Sequence, residues 1–446
     1  MRPAAGQAYL TALGGMSEVG ASCYLYEFPQ GNLLIDCGLR QSTSPASPPD
    51  LKLLSSRPDW MILTHAHLDH VGALPQIIKM FPSLQVHATI ETCAMARIVL
   101  EDAAQISESE GGALTKNEVE AALRQLRPFQ KGRVLNLTSS SGEISVATRS
   151  AGHLIGAVSL RIQAGLLMIE HTGDVSLENT PTTDGAILGR SGAHVTVCES
   201  TYGNRDLPPR RHQVSEMIKT TREILSNKGR ILIPSFALGR AQDVSYHLNK
   251  AMEQGLLPRV PIYVDGMCRE AARVAEKLAP SLPANTRTTS NTPFTGNGIT
   301  LVSGRDREKI IKNPKPAIII ASSGMLSGGV SPIYALKISQ EDQSAIMLVG
   351  YQEAESPGGQ LRQARRGDQV RLGGKTIKLR CNIHQVQLSG HADKNDLKKI
   401  VDATGAHTVV LLHGDGQARD GLARLLRSSG NRDVLTPENK ARTLLS

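Results

Sequence analysis

Aromatic residues are scarce in this 446-residue chain, which has five Phe, eight Tyr and one Trp. The scarcity argues against broad aromatic platforms of the kind on which nucleic-acid bases stack. No apolar stretch approaches the roughly 18 residues that a membrane span needs, so no membrane association is expected. Residues 1–6 lack the apolar core of a signal peptide, and a cytoplasmic protein is therefore predicted.

Cysteine is equally sparse and shows no CxxC pair. A disulfide framework or a cysteine-rich zinc motif is therefore not expected. Several cysteines lie in apolar, strand-like runs, which predicts buried free thiols. The six residues are Cys23, Cys37, Cys93, Cys198, Cys268 and Cys381.

The charge balance is basic, with a formal net charge of +9. Such a balance suits a polyanionic ligand, although a basic surface without any such ligand would give the same number. Three local clusters of basic residues also favour a polyanionic ligand, but exposed runs of this kind are most often simply solvated. The clusters are Arg205, Arg210 and Arg211; Arg362, Arg365 and Arg366; and Lys375, Lys378 and Arg380.

The richest local signal lies at residues 64–70, which read Thr-His-Ala-His-Leu-Asp-His. An apolar run at residues 60–63 precedes this string, so the pattern predicts a buried strand, then a loop, then the start of a helix. Imidazoles and a carboxylate at such a junction suit zinc or a similar divalent ion. The alternative is a polar loop without metal. The candidate ligands are His65, His67, Asp69 and His70.

Four further single residues stand at similar places in the chain. His153 lies between small residues, Asp174 closes the strand-like segment at 169–174, and His413 follows the apolar run at 408–412. Asp36 comes earlier in the chain, after residues 33–35. Each histidine alone would be an ordinary residue near a strand end, and it is a family resemblance that joins them into one ordered series.

In this order, the motifs resemble those of the metallo-β-lactamase superfamily, and the later ones resemble its β-CASP branch. Residues 197–203 (Val-Cys-Glu-Ser-Thr-Tyr-Gly) resemble motif A, residues 388–393 (Leu-Ser-Gly-His-Ala-Asp) motif B, and residues 412–414 motif C. Residues 234–242 and 321–329 are also similar to recurrent β-CASP segments. The resemblance covers nearly the whole chain.

The resemblance implies an α/β fold: a metallo-β-lactamase αββα sandwich with an inserted α/β β-CASP domain. The first part of the lactamase domain is expected at residues 1–197, the β-CASP domain at 198–380 and the second part of the lactamase domain at 381–446. Strands alternating with helices in the inserted region predict a parallel sheet covered on both faces.

The resemblance also implies roles for the site residues. Asp174 would bridge two zinc ions, and Asp36 would support the metal loop rather than bind metal. His391 would act as general acid, oriented by Glu199, with Asp69 counted among the catalytic groups; Glu199 as a strand-end carboxylate paired with Arg205 or Arg240 is the alternative. One zinc would be held by His65, His67 and His153, and the other by Asp69, His70 and His413.

Candidate substrate contacts are fewer and rest on position. Arg205 closely follows motif A, and Arg240 lies in the segment at 234–242. Ser323 and Gly324 follow a core strand, where backbone amides can bind phosphate as a nest does. Packing turns rich in Gly and Ser are the equal alternative for this loop.

Members of this branch include the cleavage subunit of the pre-mRNA 3′-end processing complex and its archaeal and bacterial relatives. The resemblance therefore implies a zinc-dependent endoribonuclease acting on single-stranded RNA, a homodimer, and association with other RNA-processing subunits. Three alternatives stay open at this point. They are a 5′-to-3′ exoribonuclease of the RNase J type, a non-catalytic scaffold subunit, and a hydrolase of small molecules.

Overall fold

The structure is a computed structural model that describes residues 2–4, 6–41, 46–54, 56–109, 111–188, 192–296 and 298–445. The chain divides into two compact units. Unit 1 comprises Met1–Asn179, Asp184–Asp206 and His391–Ser446, and unit 2 comprises Thr180–Thr183 and Leu207–Gly390.

Strands and helices alternate along most of the described chain. The strands are β1 Tyr9–Gly14, β2 Cys23–Phe28, β3 Gly31–Ile35, β4 Trp60–Ile62, β5 Val86–Thr89, β6 Leu126–Phe129, β7 Val134–Ser139, β8 Gly142–Ser150, β9 Val158–Ala164, β10 Leu167–His171, β11 Val195–Glu199, β12 Ile231–Pro234, β13 Ile262–Asp265, β14 Ile299–Leu301, β15 Ile318–Ala321, β16 Ala345–Val349, β17 Gln369–Leu372, β18 Lys375–Lys378, β19 Asn382–Val386, β20 Thr408–Leu412, β21 Asp433–Leu435 and β22 Arg442–Leu444. The α-helices are α1 Leu68–Val71, α2 Leu74–Met80, α3 Ile90–Ser109, α4 Lys116–Leu123, α5 Arg210–Ser226, α6 Arg240–Glu253, α7 Met267–Lys277, α8 Ala284–Thr289, α9 Arg307–Lys312, α10 Ser331–Ile338, α11 Pro357–Gln363, α12 Lys394–Thr404 and α13 Gly416–Ser428.

Unit 1 is built on two seven-stranded sheets. Their strand orders are β22-β1-β2-β3-β4-β5-β6 and β21-β20-β11-β10-β9-β8-β7. Apolar side chains from both sheets form one core, which includes Leu10, Ile35 and Ile62 from the first sheet and Val146 and Val197 from the second. The alternation of buried and exposed residues along β8 and β9 is what two sheets packed face to face require.

Helices cover the outer face of each sheet of unit 1. In the first sheet, α3 packs on β5 and β6, and α4 packs against α2 and α3. In the second sheet, α12 packs on β11, and α13 packs on β20 and β21. This helix–sheet–sheet–helix order is the αββα sandwich that was predicted, so the prediction is confirmed.

Unit 2 contains a six-stranded sheet of order β14-β13-β15-β12-β16-β19 in which every neighbouring pair is parallel. A parallel sheet buries both faces, and its strands accordingly read as continuous apolar runs, as in Ile318–Ala321 and Ala345–Val349. α5, α6 and α7 contribute to the core on one face, and α10 and α11 to the core on the other. The predicted α/β insertion with a covered parallel sheet is confirmed.

The last strand of this sheet, β19, lies beyond residue 380, where the sequence had been expected to return to the first domain. β19 pairs in parallel with β16, from Asn382 opposite Ala345 to Val386 opposite Val349. Parallel neighbours of this kind are joined by long connections, so their pairing leaves no local mark in the sequence. By contacts, unit 2 runs through to Gly390.

The six cysteines are free thiols in the structure. All are buried except Cys93, which is half-buried. The prediction of buried free thiols is therefore confirmed for five of the six. Among the helices of the described residues, none is long and apolar enough to cross a membrane.

Candidate active site

The histidine-rich string links the short buried strand β4 to helix α1. His65 and His67 lie in the connecting loop, whereas Asp69 and His70 lie in α1 itself. The backbone N–H of His70 donates to the His67 carbonyl over 2.9 Å in the first turn of this helix. The ring of His65 lies 5.1 Å from that of His67 and 3.9 Å from that of His70, measured between centroids.

The remaining candidate ligands follow strands of the second sheet of unit 1. His153 comes after β8, Asp174 after β10 and His413 directly after β20. These three strands run in the same direction, because β8 and β10 are both antiparallel to β9, and β11 is parallel to β10 and to β20. Their carboxyl ends therefore meet at one edge of the sheet and bring distant residues together.

Two groups of ligand atoms meet at Asp174. Its Oδ2 lies 3.5 Å from His65 Nε2 and 3.4 Å from His70 Nε2, and its Oδ1 lies 3.4 Å from His413 Nδ1. Asp174 thus contacts histidines of both groups, as a bridging ligand would. One group is His65, His67, His153 and Asp174, and the other is Asp69, His70 and His413, with the ligand atoms of each group within 4.8 Å of one another.

The chemistry of these side chains fits a divalent metal ion. Within the described chain, His65 Nε2 and Asp174 Oδ1 are buried without a hydrogen-bond partner, which is unusual for buried polar atoms. Burial lowers the pKa of His65 and lowers that of His67 to about 4, so both rings are neutral near pH 7. Neutral imidazoles together with carboxylates are the donors that such metals take.

Asp36 contacts the metal loop from the protein interior and belongs to neither ligand group. One of its oxygens accepts the Thr64 N–H at 2.7 Å; the other accepts the Thr64 hydroxyl at 2.7 Å and lies 2.8 Å from His70 Nδ1. This contact leaves His70 Nε2 facing Asp174. Burial opposes a charge on His70, but the carboxylates of Asp174 and Asp36 hold its pKa above the usual range.

Replacing Asp36 with Asn is expected to weaken metal binding, because the amide has no charge with which to orient His70 and Thr64. The affinity for zinc should fall by about 10–100-fold, measured by competition between the zinc-loaded protein and a chelator. Asp50→Asn is the matched control, since Asp50 pairs with Lys440 at the surface of the same unit over 2.9 Å. Identical competition curves for Asp36→Asn and the unchanged protein would contradict this role.

His391 is paired with a fully buried carboxylate. Glu199 ends β11 with no exposed surface, and its Oε1 lies 3.0 Å from His391 Nδ1. The same carboxylate accepts the backbone N–H groups of Val175 (2.8 Å) and Thr201 (3.2 Å). His391 therefore turns its Nε2 toward Asp174 Oδ2, 4.0 Å away. Burial opposes protonation of His391, but the neighbouring carboxylate of Glu199 raises its pKa to about 9.

Arg205 and Tyr202 form a stack next to His391. The Arg205 guanidinium lies 5.3 Å from the centroid of the Tyr202 ring. That ring meets the imidazole of His391 edge-on, with centroids 6.0 Å apart. Arg205 therefore has an aromatic partner within unit 1, and its role as a substrate contact stays a prediction.

The other predicted substrate contacts lie in unit 2. Arg240 opens α6 and donates to the buried carboxylate of Asp243 over 2.6 Å. Ser323 and Gly324 follow β15; the Gly324 carbonyl accepts the Gln352 side-chain amide at 3.1 Å, and the Ser323 hydroxyl is buried with no hydrogen-bond partner in the described chain. Their contact with substrate stays a prediction.

Sequence reasoning missed the hydroxyl groups that contact the ligands. Thr201 Oγ1 lies 3.1 Å from His413 Nδ1, and Ser22 Oγ lies 3.3 Å from His70 Nε2. Thr201 and Thr64 stand next to residues that were singled out, so their place inside the motifs was an available signal. Ser22 offered none, because it precedes β2 and is remote from the motif in the chain.

The αββα fold and the two ligand groups define a metal-dependent hydrolase. Three family models match the chain in order: the metallo-beta-lactamase superfamily at residues 16–235, the Beta-Casp domain at residues 241–361, and the Zn-dependent metallo-hydrolase RNA specificity domain at residues 376–437. The chain belongs to the β-CASP branch of the metallo-β-lactamase superfamily. The predicted family and the prediction of a metal-dependent hydrolase are thereby confirmed.

Curated relatives match over almost the whole chain. Ribonuclease TTHA0252 of Thermus thermophilus is 31% identical, over 94% of this chain and 96% of its own length. Transcription termination factor FttA of Methanocaldococcus jannaschii is 28% identical, over 96% of this chain and 70% of its own length. RNase aCSPSF2 of Saccharolobus solfataricus is 29% identical, over 97% of this chain and 84% of its own length.

Among solved structures, the fold is similar to that of a protein of unknown function from Enterococcus faecalis V583. The two share 14% sequence identity with a TM-score of 0.55, covering 98% of this chain and 100% of the other. At this identity the likeness concerns the fold alone.

Proposed function

We propose that this protein is a zinc-dependent ribonuclease that cleaves phosphodiester bonds within single-stranded RNA. The observation that carries the proposal is the position of Asp174 between two ligand groups, with the Glu199–His391 pair beside it. Two of the relatives are named as RNases. The match to an RNA specificity domain gives further support.

The metals in this proposal are two zinc ions per chain. When bound, they would supply positive charge for the phosphate and lower the pKa of a water molecule. Asp174 would be shared between them, and the remaining ligands leave room for substrate, as a catalytic site needs. One ion would be held by His65, His67, His153 and Asp174, and the other by Asp69, His70, His413 and Asp174.

The role of His391 in the proposal follows from which of its ring nitrogens is engaged. Glu199 accepts from Nδ1 at 3.0 Å, so Nε2 is the atom that faces the ligand groups. A proton on Nε2 can pass to the leaving 3′-oxygen, which otherwise departs as an unstable alkoxide. Because Glu199 is anchored by two backbone N–H groups, the ring keeps this orientation.

Two alternative functions compete with this proposal. A scaffold subunit would need no ligands, yet all seven ligand positions are occupied by donors whose atoms converge. A 5′-to-3′ exoribonuclease of the RNase J type would use the same chemistry with a different approach of the RNA.

The homodimer, the cytoplasmic location and the association with other RNA-processing subunits stay predictions.

The test uses one single-stranded RNA and the matching DNA, each labelled at the 5′ end in one copy and internally in another. The zinc-loaded protein is expected to give internal RNA fragments from the outset. His391→Ala and Asp69→Ala should both abolish these fragments. His407→Ala removes an exposed histidine of the same unit and should change nothing.

Each other outcome has a distinct meaning. Mononucleotides released from the 5′ end, dependent on a 5′-phosphate, would assign the exonuclease. Cleavage of both polymers at equal rates would remove the preference for RNA. No cleavage of either polymer, with zinc bound stoichiometrically, would overturn the nuclease and favour the scaffold or a hydrolase of small molecules.

A further inference from the structure

Basic charge is concentrated in one short stretch of unit 2, residues 361–380. This stretch holds seven Lys or Arg residues and one acidic residue, whereas the entire chain has a net charge of only +9. None of these residues belongs to the metal centre. The basic residues are Arg362, Arg365, Arg366, Arg371, Lys375, Lys378 and Arg380.

The centre of the stretch is a β-hairpin formed by β17 and β18. The tight turn between the strands consists of Gly373 and Gly374, with φ angles of 52° and 77°, which glycine adopts without strain. The inward residues Val370 and Leu372 are buried, and Ile377 packs with them in one of the cores of unit 2. This apolar anchorage fixes the hairpin backbone, so its other face is presented on a rigid support.

The outer face of the hairpin is polar and exposed. Gln369 pairs with Lys378, and Arg371 pairs with Thr376, so these four side chains share the face opposite the buried one. All four are exposed. Arg371 and Lys378 are diagonal neighbours across the two strands, roughly 7–8 Å apart. The face thus offers two cations flanked by a hydroxyl and an amide.

Most of the cations of this stretch have no acidic partner. Arg366 and Arg380 both contact Asp342, whose single negative charge offsets part of theirs. The ion pairs among the described residues include none of the other five cations. The five are Arg362, Arg365, Arg371, Lys375 and Lys378.

We propose that the outer face of this hairpin, with Arg371 and Lys378 at its centre, binds the phosphate backbone of single-stranded RNA without regard to base sequence. The choice of RNA as the polyanion rests on the proposed function. Unpaired cations on a rigid, exposed surface gain affinity for a polyanion by releasing its counterions. The hydroxyl and amide of Thr376 and Gln369 suit phosphate oxygens equally.

The test is the salt dependence of RNA binding by the full chain carrying Arg371→Gln and Lys378→Gln. Binding of 30-nucleotide U and A homopolymers is measured in an Asp69→Ala background, so that no RNA is consumed. The slope of log affinity against log salt should fall by about 0.7 for each lost phosphate contact, hence by about 1.4, for both homopolymers. Single-stranded DNA should show the same fall, because the phosphates are shared.

The matched control is Lys309→Gln with Lys312→Gln. It removes the same charge from exposed lysines of α9 in the same unit, which are 81% and 74% exposed. The control should retain the original slope. The single variants Arg371→Gln and Lys378→Gln change the same outer face, and each should lower the slope by about 0.7. They give the answer if the double variant does not fold.

A slope unchanged in the hairpin variants, or lowered equally in the control, would overturn the inference. A fall confined to one homopolymer would overturn the sequence-independent form of it. Cleavage is measured separately on the labelled single-stranded RNA with the zinc-loaded protein that retains Asp69. If this RNA is not cleaved while the hairpin variants still lower the slope, the proposed ribonuclease fails and the RNA-binding surface stands.

Discussion

His391→Ala is expected to lower the rate of RNA cleavage by about 10²–10⁴-fold, the range typical of a lost general acid, while bound zinc stays unchanged. The ring of His391 lies outside the two groups proposed to hold the ions and clusters instead with Glu199 and Asp174. Its Nε2 faces them from 4.0 Å, and its Nδ1 is engaged by Glu199. Removal of the ring therefore takes away a proton donor without removing a ligand.

The decisive measurement uses RNA in which the scissile 3′-oxygen is replaced by sulfur. A thiol has a pKa near 8.5, so the thiolate leaves without help from an acid. His391→Ala and the unchanged protein should therefore cleave this substrate at similar rates. Asp174→Asn is the control, because it disturbs both ligand groups and should stay inactive on either substrate. A full deficit of His391→Ala on the sulfur substrate would contradict the role of general acid.

Glu341→Ala is expected to destabilise unit 2 by about 3 kcal/mol, because it leaves a buried guanidinium without a counter-charge. The side chain of Arg230 is only 2% exposed, and its Nε donates to Glu341 over 3.1 Å. The value lies at the lower end of the roughly 3–5 kcal/mol usual for such a loss. Three carbonyl acceptors of Arg230 remain, those of Ile310 and Asn313 at 2.9 Å and that of Ile311 at 3.2 Å.

The measurement is urea unfolding of the full chain, followed by circular dichroism. Lys337→Ala is the matched control, since Lys337 pairs with the same carboxylate from an exposed position at 3.6 Å. An exposed pair contributes at most about 1 kcal/mol, so this variant should unfold close to the unchanged protein. Equal, small losses in the two variants would show that Arg230 does not depend on Glu341.

Much of the fold and of the candidate ligand set could be predicted, because both are recognisable from short segments of the sequence. Zinc ligands come from a few residue types, chiefly His, Cys, Asp and Glu, and strand ends place the candidates after apolar runs, as with His413 after β20. The strand, loop and helix around His65 and His70 followed the same logic and are present in the structure. The parallel sheet of unit 2 was predictable since its strands are continuous apolar runs.

The rest depends on contacts between distant parts of the chain. The pairing of β19 with β16, the Ser22–His70 contact and the Tyr202 ring beside His391 each join residues whose proximity only the complete fold creates. Arg205 was expected near substrate from its place after motif A, but its aromatic partner Tyr202 could not be inferred from charge patterning. Side-chain partners of exposed residues are set by geometry rather than by spacing.

The order in which the ribosome releases the chain bears on when such a centre can become active. Six of the seven predicted ligands and Asp36 are made early, but His391 and His413 emerge only after the whole segment from Leu207 to Gly390. At a synthesis rate of about 5–20 residues per second, that interval is roughly 10–40 s. Throughout it the nascent protein lacks one predicted ligand and the predicted proton donor. Cleavage activity is therefore expected only after the last strands of unit 1 have been added.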